Sequence, residues 1–287
     1  MSTSSTISNS GRSLRITVIV LGILVCGMLF FADKTNLHNK NENTISTTSV
    51  STGPVENVSS NIPPLAKDEK FDAWTSKLEE VNGAEKTVLL DSIVQLLTTR
   101  NRFEYAADYA DQLAQTESSL TNRIQAGILS QKASQLEYVR SDSVLFRKYS
   151  QKAITYLSAA VEESPEAEDA KVYLGLSYVQ SGLAENSMKG IMTLRNVLEQ
   201  NPDNIEAGYY MGIFSLQTNQ LEKAKERFEK ILEVAPDYMP ARLQLAQTMI
   251  RMEQPDKAKI ILEELIRNRE ADDEIRLAAR ELINTLP

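Results

Sequence analysis

The chain of 287 residues contains one histidine, His38, and one cysteine, Cys26. No His/Cys metal cage, Cys–His nucleophile pair or disulfide framework can be built from those two residues. The 11 glycines are scattered, without a phosphate-cradling loop or a dinucleotide fingerprint. Positive charge is also in deficit, with 31 Lys and Arg against 39 Asp and Glu and a net charge of −8. Nucleic acid binding needs concentrated positive charge, so it is not expected. Catalysis would have to rest on carboxylates, Lys, Ser or Tyr, and the acidic residues fall at turns and on helix surfaces rather than converging in a cleft. The sequence therefore reads as a non-enzyme with no cofactor and no metal.

What is present begins with an uncharged run. Residues 16–32, ITVIVLGILVCGMLFFA, are 17 consecutive residues without a charge. As a helix they rise about 26 Å, close to the roughly 30 Å hydrocarbon core of a bilayer. Leu14 and a snorkelling Arg15 supply the remaining length. A signal peptide is the alternative, but its apolar stretch usually runs about 7–15 residues and ends in small side chains. Here Phe30 stands where a small residue is needed for cleavage after Ala32. The segment is read as a retained signal-anchor, a single transmembrane helix; cleavage would instead give a secreted protein. Bulky Ile23, Leu24 and Val25 before Cys26 speak against a lipid-modified thiol. Arg12, Arg15 and the amino terminus, in the tail of residues 1–15, lie before the span, against Lys34 and Lys40 after it, with the nearer and denser positive charge on the N-terminal side. That asymmetry predicts a cytoplasmic N-terminus and an exported C-terminal part, periplasmic if the source is bacterial.

Residues 33–66 contain 20 Ser, Thr, Asn, Pro or Gly among 34 positions. Too few apolar side chains remain to offset chain entropy, so a disordered linker is expected, with an end-to-end distance of about 30–35 Å. His38 reads as a solvated linker residue, and Asn57-Val58-Ser59 as a chance match to a glycosylation acceptor. The acidity lies beyond this linker: residues 67–287 hold 27 basic and 36 acidic side chains.

From residue 67 the pattern becomes helical, broken by short turns, and it repeats. Leu174-Gly175, Met211-Gly212 and Leu245-Ala246 recur at intervals of 37 and 34. Small residues Ala153, Gly190, Ala224 and Ala258 recur at 37, 34 and 34, each followed four residues later by Leu157, Leu194, Phe228 and Leu262. Three residues further stand Ala160, Val197, Ile231 and Leu265, and Pro165, Pro202 and Pro236 close three units. Each unit reads as two antiparallel helices. The small residue lets the first helix approach, the large ones fill the same face, and proline ends the second helix. One pair cannot bury its apolar faces alone, so the units must stack.

This pattern resembles the tetratricopeptide repeat (TPR) family, which implies an all-α, TPR-like helical-repeat superhelix. Three units are assigned to residues 168–272, the clearest being 205–238. The unit at 168–204 has three extra residues, placed between its helices around Gly182–Lys189. The aromatic residue that the family carries early in the first helix is missing; Lys171, Gly208 and Arg242 stand there. Residues 67–167 read as a degenerate helical region, with a helix pair at 86–116 bearing Ala106 and Ala110. A second pair joins a helix from about Ser119 to Tyr138 to one at 149–165, through Arg140–Arg147. Residues 273–287 read as a capping helix, with Asp272 and Asp273 at its start.

In this family the first helices line a concave groove for peptides or partner helices. Carried over by position, the groove comprises Val172, Leu176, Val179 and Gln180, then Tyr209, Ile213, Leu216 and Gln217, then Leu243, Gln247, Ile250 and Arg251. Self-packing of these side chains is the competing reading. The Lys/Asn set with which some members grip a C-terminal carboxylate is absent, so an amphipathic helix or an extended apolar segment suits this lining better. Glu162, Glu163, Glu166, Glu168 and Asp169 read as a solvated turn. Lys223, Lys225, Arg227 and Lys230 alternate with Glu222, Glu226, Glu229 and Glu233 and read as surface ion pairs. Trp74 reads as an anchor for the first helix. The resemblance thus implies a membrane-tethered adaptor, scaffold or envelope assembly factor with a protein or peptide partner. A self-associating structural protein, a homo-oligomer, is the rival.

Overall fold

The computed structural model describes residues 62–286. The N-terminal tail, the segment at 16–32 expected to span a membrane and most of the expected linker lie outside the described residues. Among the described residues there are 13 helices and no strand, and no helix is long and apolar enough to cross a membrane.

A short helix α1 (Glu69–Leu78) precedes five antiparallel pairs. They are α2 (Gly83–Thr99) with α3 (Phe103–Thr116), and α4 (Leu120–Ser134) with α6 (Ser143–Glu163). The others are α7 (Glu168–Gln180) with α8 (Ala184–Gln200), α9 (Ile205–Gln217) with α10 (Leu221–Val234), and α11 (Met239–Arg251) with α12 (Pro255–Arg267). A short α5 (Glu137–Ser141) interrupts the second pair, and α13 (Asp273–Ile283) ends the stack.

The turns between partners share one device. Asn101, Gly182, Asn219 and Glu253 hold positive φ angles of 55°, 75°, 60° and 58° directly after the first helix of four pairs. A left-handed residue stops a helix and lets the chain reverse. In three pairs the next N–H then reaches back five residues, as in Arg102 N to Leu97 O at 2.9 Å, Gln220 N to Ser215 O at 2.8 Å and Gln254 N to Met249 O at 2.9 Å. Between successive pairs, Ser119 and Asn204 accept backbone N–H groups as N-caps, and Asp142 does so within the second pair. Asp272 occupies the same place before α13, without a side-chain cap bond.

Each pair closes on the contact that the repeat spacing implies. Ala153, Ala224, Ala258, Leu157, Leu194, Phe228 and Leu262 are all fully buried. A Cβ on Gly212 would meet the Phe228 ring at 2.6 Å, and one on Gly175 would meet Leu194 Cγ at 2.9 Å. The closest approach is at Gly190, where a Cβ would lie 2.3 Å from the Gly175 carbonyl oxygen. The same contact recurs upstream, where Gly127 faces Leu157 Cγ at 2.5 Å. The pair α4/α6 is therefore built like the later units.

Three boundaries differ from the sequence reading. The three extra residues of the unit at 168–204 are not in a loop. The turn at 181–183 is as short as its counterparts, and α8 is 17 residues long against 14 for α10 and 13 for α12. Gly190 is accordingly the seventh residue of its helix, whereas Ala224 and Ala258 are the fourth. Secondly, the helix expected to reach Tyr138 ends at Ser134, and Arg140–Arg147 forms α5 and the start of α6. Asp142 causes that restart by capping Val144 N and Leu145 N at 2.9 and 3.1 Å. Thirdly, residues 62–66, read as linker, lie on the first pair. Ile62 and Leu65 pack with Phe71, Trp74 and Leu78, and Arg102 donates to the carbonyls of Pro63 and Pro64. Trp74 belongs to that cluster, with Lys70 Nζ 4.4 Å from its ring.

Candidate functional site on the face of the first helices

The helices α4, α7, α9 and α11 follow one another as the first helices of successive pairs, and each packs on the next. What a first helix offers to solvent is therefore only the narrow strip between its neighbours. On α7 that strip is nearly closed: Val172, Tyr173, Leu174, Leu176, Ser177 and Tyr178 are all buried. Tyr173 donates its hydroxyl to Glu206 Oε1 at 2.9 Å across to α9. Gln180 Oε1 accepts from Gln131 Nε2 of α4 at 2.8 Å and from Gln135 Nε2, just after that helix, at 2.7 Å. Burial first, and then the Glu206 carboxylate, push the Tyr173 pKa upward, so the phenol remains the donor of this link.

The positions read as groove divide accordingly. Val172 and Leu176, 1% and 0% exposed, are interior, Val172 packing with Leu194, Val197, Ala207 and Met211. Leu216 is 5% exposed and belongs to the core between α9, α10 and α11. These three are closed to a partner, because each lies toward the adjacent helix rather than on the free strip. Val179 is half-buried, and its Cγ2 and backbone N face Gly190. Tyr209, Ile213, Leu243, Gln247 and Ile250 are half-buried. Tyr209 meets Tyr238 edge-on at 5.8 Å and Phe228 at 6.1 Å; burial raises its pKa and pushes that of Tyr238 up to about 12. Arg251 is occupied as well: it donates to Leu216 O at 2.6 Å and Asn219 Oδ1 at 2.9 Å, closing the C-terminus of α9.

Two residues escaped the sequence reading. Tyr210 and Phe214 stand one position further round α9, half-buried, against the cluster that contains Tyr173. Their spacing of four on an otherwise apolar helix was the available signal. Like them, Ile213 of α9 and Gln247 and Ile250 of α11 are only partly covered, and Gln217 is exposed, so both helices leave apolar side chains and amide groups partly open.

The charged segments resolve in part. Glu168 is no free surface group, since Oε2 accepts from Asn201 and Asn204 at 2.9 Å each, tying adjacent units together. Glu163 pairs with Arg123. On α10, Lys225–Glu229 and Lys230–Glu233 are ion pairs at 3.2 and 3.7 Å, but Lys223 bonds Gln220 Oε1 instead. Among the described residues no group of three or more His, Cys, Asp or Glu side chains could hold a metal.

This architecture of stacked helix pairs defines a helical-repeat protein. A family model described as tetratricopeptide repeat matches residues 189–238 and 223–282. Residues 189–282 are therefore similar to tetratricopeptide repeats. Among solved structures, the thermophilic TPR protein TTC0263 of Thermus thermophilus aligns with a TM-score of 0.55 at 13% identity, over 67% of this chain and 96% of that one. The fold is thus shared. YrrB, a TPR protein with an unusual peptide-binding site, aligns at 22% identity over 74% of this chain and 99% of its own, with a TM-score of 0.40. MamA from Desulfovibrio magneticus RS-1 aligns at 18% over 70% and 98%, with a TM-score of 0.44. No curated protein matches the chain.

Proposed function

We propose that the chain is a membrane-tethered protein-interaction module: residues 16–32 anchor it, and the repeats bind an apolar helix or extended segment of a partner. The observation that carries this reading is the partial exposure of Tyr210, Ile213 and Phe214 on α9 and of Gln247 and Ile250 on α11, which we take together as one apolar band. Aromatic and aliphatic side chains already held by their neighbours lose little freedom on binding, so a partner's apolar face gains burial at low entropic cost. The anchor and linker would raise the local concentration of the module at the bilayer. With the N-terminus cytoplasmic and the repeats exported, an adaptor, scaffold or assembly role at a cell envelope fits the layout.

The test is a crosslinked pull-down from native membranes, comparing the intact chain with an Ile213→Glu, Gln217→Glu variant of unchanged helicity. Leu216 is unsuitable for substitution because it is core. Partners lost only from the variant support the reading; the same partners retained move binding off this face. Self-association is separated by mass: a form that stays monomeric across concentration excludes it.

A further inference from the structure

Lys171, Gly208 and Arg242 recur at the repeat intervals of 37 and 34 near the start of successive first helices, and they are not equivalent. Lys171 Nζ reaches Gln200 Oε1 at 3.1 Å, and Arg242 Nε reaches Pro236 O at 2.9 Å, so each spans to the neighbouring second helix or its end. Gly208 spans nothing. Beside it opens a cleft of about 410 Å³ between the end of α8, the start of α9 and the face of α10.

Packing does not demand glycine there. A Cβ at Gly127, Gly175, Gly190 or Gly212 would come within 2.3–2.9 Å of a neighbour. At Gly208 the nearest atoms, on Ile231, are 3.4 and 3.5 Å away, which is ordinary contact. A glycine inside a helix is less favourable than an alanine, because it loses more backbone freedom on folding. Gly208 accepts that cost and leaves the space open.

The walls of the cleft have two characters. Leu198, Ile231 and Val234 form an apolar floor, and Val234 remains 43% exposed. Lys223, Arg227 and Lys230 stand above it. With Arg195, which lies close enough to Arg227 to repel it, four cations meet the carboxylates of Asp203 and Glu226. Lys230 already uses Asp203, at 3.2 Å. Arg227 has a buried Nε without a hydrogen-bond partner. Its burial, and then Arg195, press its pKa below the ordinary value against the pull of Glu226. With Lys230 taken up by Asp203, the lining leaves Lys223 and Arg227 against the single carboxylate of Glu226; that local positive balance in a chain of net −8, set over an apolar floor, is complementary to one kind of ligand.

We infer that this cleft binds an apolar group bearing a carboxylate, its hydrocarbon seated over Gly208 and Ile231 and its oxygens on Arg227 and Lys223. The source is either a free apolar acid or the C-terminal residue of a peptide. This site lies against the second helices and is independent of the band on α9 and α11.

The test uses the full chain in detergent and two probes. One is 3-phenylpropionate; the other is a fluorescein-labelled tetrapeptide ending in Phe, made with a free C-terminus and as the amide. Saturable binding of either acid, at least tenfold weaker for Arg227→Gln and abolished by Gly208→Leu, is expected. The leucine fills the cleft, and helicity and melting show that both variants are folded. Binding of the tetrapeptide alone assigns the site to peptide C-termini, and binding of 3-phenylpropionate alone assigns it to free acids. The inference is overturned if neither acid saturates, if the amide binds as well as the acid, or if Gly208→Leu leaves binding unchanged.

Discussion

At the scale of single residues, the repeats are held by small side chains whose size is set by what lies opposite. Gly190 is the sharpest case, because the atom facing it is the Gly175 carbonyl oxygen, part of a helix backbone that cannot rotate aside. Gly190→Ala must therefore push α7 and α8 apart. Overpacking of this kind typically costs about 1–3 kcal/mol, so the urea midpoint should fall markedly. Gly212→Ala should be milder, since Phe228 is a side chain and can tilt. Equal losses at the two sites would show that close backbone approach is not what Gly190 provides.

Elements are tied together by polar links as well as by apolar ones. The α3–α6 contact carries Asp108, Asp111, Lys148, Tyr149, Lys152 and Tyr156. Tyr149 is fully buried and bonds Glu104 O and Asp108 Oδ2 at 3.1 Å each. Asp111 accepts from Lys152 Nζ at 2.6 Å and Tyr156 Oη at 2.5 Å. Burial raises the Asp111 pKa, but the bonds from Lys152 and Tyr156 outweigh it and hold the group below its ordinary value. A depressed carboxylate contributes stability that is present above its unfolded pKa of about 3.9 and is lost as pH falls through the folded value. Thermal melts should thus show stability falling below about pH 4, with a shallower fall in Asp111→Asn. Parallel acid limbs would mean that this link adds nothing.

The element scale also shows what could be read from the chain. The spacings of 34 and 37 were legible because every unit repeats one contact between a small residue of one helix and a large one of its partner. Gly127 and Leu157 make the same contact, but α5 and the Asp142 cap lengthen the connection and hide the interval. The three extra residues of the unit at 168–204 could be counted but not placed, since Ala184–Asn186 suit the first turn of a helix as well as a loop. The candidate site was half legible. Periodicity finds the apolar side of α7 and α9, but it does not say which apolar residues a following helix will cover. Leu176 and Leu216 were covered, whereas Tyr210 and Phe214 remained at the strip.

For the whole molecule, residues 62–286 form a stack in which each pair completes the core of the one before it. Ile62 and Leu65 close one end over the first pair, and Ala279, Ile275 and Leu282 of α13 cover Leu262 and Leu265 at the other. Both ends of the stack are thereby sealed, and the free apolar surface is left to its faces. Of these faces, the one proposed above to meet a partner is that of α9 and α11. Site-specific photocrosslinking in intact cells tests this most directly, with the crosslinking residue at Gln217 or Gln247 and, as controls, at the exposed second-helix residues Glu222 and Lys259. Discrete partner adducts are expected from Gln217 and Gln247, and none of those adducts from the controls. The same adducts from Glu222 or Lys259, with none from the first helices, would contradict it.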